Sequence, residues 1–320
     1  MNTKNIQDSK QDMATNMTSV EWALIVLLSI LWGSSFFFTG VAVKELPPFT
    51  IVFSRVALAA CLLFVLMRLK KLRFPSSPKI WISFIVMGML NNVIPFSLIS
   101  WGQGHIASGL ASILTATTPI FSIILAHFVI KEERLTLNRI VGVMLGWIGV
   151  VTLIGFKSLE GVENQFAGQC SVLGAAFFYA CAAIYGRRFK GMPFLVTTTG
   201  MLCGSTILMA PLAVVIDTPW VYSVNTSTVL ALIGLASLST ALAYIIYFRI
   251  LTTAGPTNVL LVTFLLPVSA IVLGSVFLDE RLHWNAFTGM GIIFFGLLFI
   301  DGRMFKRLRN KRCGIVRSKL

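Results

Sequence analysis

One arginine stands where a charge is costly. Arg55 lies seven residues into PFTIVFSRVALAACLLFVLM (48–67), a run with no other charged residue. At a helical rise of about 1.5 Å per residue, that places it roughly 10 Å from the start of the run. A guanidinium held at such depth offers a carboxylate two parallel hydrogen bonds. Arg55 is therefore a candidate clamp for an anionic group. The alternative is a rim arginine that pairs with backbone carbonyls or Glu45 and orders its own helix. Two amides, Asn91 and Asn92, stand one turn before Pro95. An amide among apolar side chains needs a partner, and a cavity offers water or a ligand. Ser108, Ser112, Thr115 and Ser122 recur on one helical face. Such a stripe either lines a cavity or lets backbones approach closely. Trp32, Tyr179, Tyr244 and Tyr247 complete the set, as aromatic walls for a partly apolar ligand or as packing.

What is missing narrows the chemistry further. All twelve acids lie in loops, tails or run ends. No carboxylate stands inside an apolar run to exchange a proton for an organic cation, which favours a neutral, zwitterionic or anionic ligand. The three histidines, 105, 127 and 283, are scattered, and His127 within its run reads first as a packing residue. Arg249 stands near the end of its run and is expected to snorkel to the rim. There is no HExxH, no Gly-x-Ser-x-Gly elbow and no converging set of histidines or carboxylates, so an integral membrane enzyme is the weaker reading. No ATP motif, cofactor motif or metal-ligand spacing is present. The five cysteines (61, 170, 181, 203, 313) form no metal or secreted-disulfide pattern.

The elements that must hold these groups follow from composition. Hydrophobic residues make up 56% of the 320 and charged residues only 12%, against about a quarter in a soluble domain. WALIVLLSILWGSSFFFTGVAV (22–43) runs twenty-two residues without a charge, and a bilayer needs about 20. The chain is expected to be an all-α integral membrane protein. Ten spans are expected, at 20–43, 48–67, 80–101, 107–129, 137–155, 168–186, 194–216, 228–251, 256–278 and 284–301. Prolines 95, 119, 211 and 267 within them are compatible with helix in a membrane bundle.

The net charge of +14 raises nucleic acid as a partner, but its distribution points to the membrane. With the N-terminus inside, the cytoplasmic segments hold 21 of the 26 Lys and Arg, and the outer loops hold only Lys44, Lys157 and Arg281. That asymmetry puts both termini in the cytoplasm of a plasma or inner membrane. The basic tail is expected to lie against anionic lipid headgroups. The polar first nineteen residues lack the apolar core of a signal peptide and read as a disordered tail.

The chain also repeats itself. TTPIFSIILAHFVIKEERL (117–135) and LLPVSAIVLGSVFLDERL (265–282) share a proline near the start and an acid-Arg-Leu near the end. Pro119 and Pro267 are 148 positions apart, while Arg134 and Arg281, Gly142 and Gly289, and Gly149 and Gly296 are each 147 apart. Gly142, Gly146 and Gly149 read as packing. Five helices per copy is odd, so the second copy enters from the opposite side. This makes an inverted repeat, whose halves can exchange inward- and outward-open shapes around a midplane site.

LWGSSFFF (31–38), FSRVALAACLLF (53–64), FSLISWGQGHIASGLASILTATTPIF (96–121), EERLTLNRIVGVMLGWIGV (132–150), STALAYIIYFRIL (239–251) and LVTFLLPVSAIVLGSVFLDERL (261–282) together resemble the drug/metabolite transporter superfamily, EamA type. The resemblance spans nearly the whole chain, in order. It implies a ten-helix permease of two five-helix repeats, 20–155 and 168–301, joined by a linker at 156–167 and flanked by cytoplasmic tails at 1–19 and 302–320. It also implies a small-molecule substrate, often amino-acid-like, and frequently export. The family commonly has an arginine where Arg55 falls. It also commonly has a basic residue about eight positions after the Trp of the first motif, where this chain has Gly40, with Lys44 one turn later. The substrate-binding candidates are thus Arg55, Asn91, Asn92, Trp32, Thr115, Tyr179, Tyr244 and Tyr247. A fused pair of repeats completes its own fold, so a monomer suffices. A receptor or scaffold without flux is the competing class, but it leaves the inverted repeat unexplained.

Overall fold

The computed structural model describes residues 18–129, 137–154, 163–259 and 261–301. Both tails up to 17 and from 302, the 155–162 part of the linker and the charged turn at 130–136 lie outside the described residues. Among the described residues there are helices and no strands. Seven helices are long and apolar enough to cross a membrane: α1 Ser19–Ala42, α2 Pro48–Leu69, α3 Pro78–Gln103, α4 Ser108–Val129, α6 Asn164–Phe189, α7 Phe194–Asp217 and α8 Thr226–Thr253. Three shorter apolar helices are described as well: α5 Leu137–Ile154, α9 Leu261–Phe277 and α10 Trp284–Asp301.

The helical turns of α6 reach back to Glu163, one residue beyond its apolar span, five residues before the expected start and inside the expected linker. Its first residues are Glu163, Asn164 and Gln165, which a hydropathy ruler cannot distinguish from a loop. The start of α1 is set by a capping box. Thr18 N donates to Glu21 Oε2 at 2.8 Å, and Glu21 N donates to Thr18 Oγ1 at 3.3 Å.

Successive helices alternate in direction, so the chain has a near end, where α1 begins, and a far end, where it finishes. Helix α6 opens the second copy at the far end, where Gly168 packs against Gly102 of α3. The second copy is therefore inverted relative to the first. The helix contacts repeat in the same way. α2 packs on α7, α4 on α9 and α5 on α10; α1 packs on α9 and α8 as α6 packs on α4 and α3. Each contact maps onto itself or another when the copies are exchanged.

Four buried clusters result among the described residues, two of them large. One gathers Val56, Leu63, Phe84, Leu202 and Met209 from α2, α3 and α7. The other gathers Ile113, Ile120, Val172, Ala270 and Ile293 from α4, α6, α9 and α10. Outside them, Leu62, Val65, Ile207, Val215, Ile233 and Phe295 are exposed. Such an apolar exterior suits lipid and not water.

The prolines act differently at matched places. Pro267 sits inside the continuous helix α9. Near Pro119, α4 breaks into Ser108–Thr115 and Thr118–Val129. The expected glycine packing is present between α5 and α10. A Cβ on Gly149 would lie 2.8 Å from Ile293 N and 2.9 Å from Gly289 O, so this crossing leaves no room for a side chain.

Candidate functional site

Where the two copies meet, α3 and α8 each depart from α-helix. Met89–Val93 in α3 and Ser237–Leu242 in α8 are π-helical turns, and their first residues are 148 positions apart. That is the interval separating Pro119 from Pro267. A π turn frees backbone groups and widens the helix, and it often marks function. The causes differ. In α3 the turn precedes Pro95, which cannot donate to the helix ladder. In α8 there is no proline; instead Thr240 Oγ1 donates to Leu235 O, five residues back, at 2.8 Å.

Side chains from both turns meet in one polar cluster. Arg55, 8% exposed, donates from Nε to Thr240 Oγ1 at 2.9 Å. Its guanidinium carbon lies 3.6 Å from the centroid of Phe96, a cation–π arrangement. The ring of Phe96 meets Tyr179 edge-on at 6.4 Å, and Arg55 is within electrostatic reach of Tyr179 and Tyr244. Asn91 Nδ2 donates to the Tyr244 hydroxyl at 2.8 Å and to Asn92 Oδ1 at 3.2 Å. The Tyr244 hydroxyl donates in turn to Asn92 Oδ1 at 3.3 Å. Asn92, fully buried, donates from Nδ2 to Ser205 Oγ at 2.9 Å. Next to this cluster, Ser34 and Ser239 hydroxyls are 3.2 Å apart and join α1 to α8.

Arg55 does not pair with Glu45, which instead accepts from Asn225. Among the described residues, no carboxylate pairs with Arg55 and its terminal nitrogens make no hydrogen bond; the only one it donates is that from Nε. Four N–H donors of a permanently charged group are left without a protein acceptor. These terminal nitrogens are not among the enclosed, unpartnered polar atoms, so they face open space between the helices and not apolar packing. The arrangement suits a ligand that brings its own acceptors.

The structure brings Arg55, Asn91, Asn92, Tyr179 and Tyr244 together. Trp32 and Tyr247 form an adjoining aromatic pair, with centroids 5.5 Å apart. Thr115 stands outside the network, because its hydroxyl donates to Ala111 O of its own helix at 2.9 Å. Ser112 and Ser122 are bonded to their own helix in the same way. Arg249 is exposed at the end of α8, as expected for a snorkelling residue. His127 is also exposed, at the end of α4 and not within the bundle. Three members of the cluster, Thr240, Ser205 and Phe96, escaped sequence reasoning. A signal existed for two of them: Thr240 lies 148 positions after Asn92, and Phe96 lies 148 before Tyr244.

An all-helical membrane fold of two inverted copies, with a polar cluster between them, defines a membrane transporter. The chain belongs to the EamA-like transporter family, which it matches over residues 21–155 and 166–301. Among its relatives, the uncharacterized transporter YoaV of Bacillus subtilis is 22% identical over 88% of this chain and 97% of its own length. A probable amino-acid metabolite efflux pump of Escherichia coli is 25% identical, over 88% of this chain and 94% of its own. A protein of the same description in Salmonella typhimurium is 26% identical over 92% and 99%. A solved crystal structure superposes with a TM-score of 0.65 at 17% identity, covering 91% of this chain and 99% of the other. At that identity the likeness concerns the fold.

Proposed function

We propose that this protein is a secondary transporter that moves small amino-acid-like solutes, or other neutral or carboxylate-bearing ones, outward across the cytoplasmic membrane by alternating access. The observation that carries the substrate class is Arg55: a buried guanidinium at the junction of the repeats, with no carboxylate partner among the described residues. The substrate carboxylate takes the free N–H donors in two-pronged geometry. Tyr179, Tyr244 and the Trp32–Tyr247 pair contact its apolar part, and Asn91 and Asn92 its remaining polar groups. Export is favoured by the two relatives described as amino-acid metabolite efflux pumps. With no intramembrane carboxylate to carry a proton, exchange or facilitated diffusion is the preferred mode. The 21-to-3 distribution of basic residues orients both termini to the cytoplasm, which makes the far end extracytoplasmic.

The test is counterflow in proteoliposomes preloaded with a mixed pool of amino acids, organic acids and organic cations. Uptake of a labelled carboxylate-bearing solute, lost in Arg55→Gln, supports the reading. Uptake of an organic cation, unchanged in the variant, overturns it.

A further inference from the structure

Three helices that begin at the far end have no side-chain cap of their own. The residue at the N-cap is Pro47 for α2 and Ala107 for α4, and at α8 it is Asn225, whose side chain makes no cap bond. The starts of α2 and α4 are capped instead by a carboxylate from the other copy, and at α8 such a carboxylate holds the N-cap residue itself. Asp217, at the end of α7, accepts from Thr50 N at 2.7 Å and from Thr50 Oγ1 at 3.1 Å. Glu280, in the α9–α10 turn, accepts from Ser108 N at 2.8 Å and Gly109 N at 3.2 Å. Glu45, in the α1–α2 turn, accepts from Asn225 N at 2.9 Å and Asn225 Nδ2 at 2.5 Å. Two of these carboxylates reach from the second copy to the first, and one reaches back.

Carboxylates suit helix N-termini electrostatically, but at α2 and α4 a serine or aspartate at the N-cap itself would satisfy first-turn donors whatever the neighbouring copy did. A cap borrowed across the interface exists only while the two copies are together at that end. When they part, water entering the gap takes over both donor and acceptor, so the exchange costs little. That is the behaviour of a reversible closure.

The surrounding packing fits. At Gly40 of α1, a Cβ would come within 2.5 Å of Ser108 Oγ, so α1 and α4 are pressed together beside Glu280. Gln103 bridges the two, donating from Nε2 to Phe36 O at 2.9 Å and to Ser108 Oγ at 2.8 Å. Its Oε1 is buried with no hydrogen-bond partner. A crevice of about 310 Å³, lined by Gly40, Lys44, Gln103, Leu278 and Glu280 among others, leads to this contact.

We propose that Glu45, Asp217 and Glu280 form a three-point latch that shuts the far end of the inter-repeat site, and that its release opens the site on that side. The three are positioning residues and do not touch substrate. The inference rests on the alternating-access reading, but its test needs no substrate.

The experiment uses the full chain in nanodiscs, with its native cysteines replaced by serine and one cysteine placed at Ser112. That residue is fully buried, one turn below Ser108 on the same face. A second reporter, Ser29→Cys, is buried in α1 on the near-end side of Trp32. Labelling by a charged maleimide is timed for the parent and for Glu280→Gln, Asp217→Asn and the triple neutral variant. The expected result is labelling at 112 at least about tenfold faster in the triple variant, a smaller rise in each single variant, and no rise at 29. Unchanged rates at 112, or equal rises at 112 and 29, overturn the latch, the second because it signals general loosening. If the triple variant fails to fold, the same criteria apply to the two single variants. Faster labelling at 112 with no counterflow of any solute leaves the latch standing and defeats the transport reading; counterflow without it does the reverse.

Discussion

Replacing Arg55 separates a binding residue from a structural one, because the two roles predict different changes in stability. In Arg55→Met the protein loses the charge-assisted Nε bond to Thr240, worth about 1.5–3 kcal/mol, and the stacking on Phe96, worth about 0.5–2 kcal/mol. Thr240 is not orphaned, since its hydroxyl still donates to Leu235 O. Against those losses stands the relief of a partly desolvated cation without a counter-charge, at most several kcal/mol. The two sides roughly offset, so the midpoint of thermal unfolding in detergent should change little. Substrate affinity should fall. Each charge-assisted bond to the carboxylate contributes about 1.5–3 kcal/mol, so losing the two-pronged clamp weakens half-saturation in counterflow by at least about 10- to 150-fold. Arg55→Lys keeps the charge but not the fork and should fall between. A drop of more than about 5 °C in Arg55→Met, with half-saturation unchanged in the molecules that remain folded, would refute this reasoning and make Arg55 a structural residue.

Asn92→Ala removes the acceptor of the Tyr244 hydroxyl and the donor to Ser205 at a fully buried position. It should cost about 1–3 kcal/mol, read as a lower unfolding midpoint. Gly149→Ala forces a Cβ to within 2.8 Å of Ile293 N and 2.9 Å of Gly289 O. Parting α5 from α10 should cost about 1–3 kcal/mol, whereas Gly291→Ala, with nothing within 4 Å, should leave the midpoint unchanged; equal effects would refute the close crossing. Asn225 N–H holds the Glu45 carboxyl below its ordinary range. A lowered folded-state value stabilises the contact above the unfolded value, near pH 4.5, and that stabilisation disappears as pH falls through the folded value. Hydrogen exchange at Asn225 should therefore quicken as pH falls below 4.5, after correction for the intrinsic pH dependence, and Glu45→Gln should remove that response.

Much of this protein is legible in its residues alone. A chain with long uncharged runs and too few charges to coat a soluble core has to place its surface in lipid, and a charge-free run of twenty-two residues sets its own helical length. The repeat was visible because prolines, arginines and glycines recur at intervals of 148 or 147, and Arg55 because a lone charge in an apolar run is conspicuous. Local pattern fails where the outcome depends on another helix. Thr115 looked equivalent to the other polar candidates, but the orientation of α4 leaves its hydroxyl to its own backbone. Asp217 and Glu280 looked like ordinary acids at span ends, and only the docking of α7 on α2, and of the α9–α10 turn on α4, makes them caps of the opposite copy. The same holds for Arg55 and Thr240, 185 residues apart in sequence. Hydropathy and periodicity record how each helix meets its solvent; which polar atoms meet across the repeat boundary depends on the rotation and depth of two helices at once, and only the packed bundle sets both.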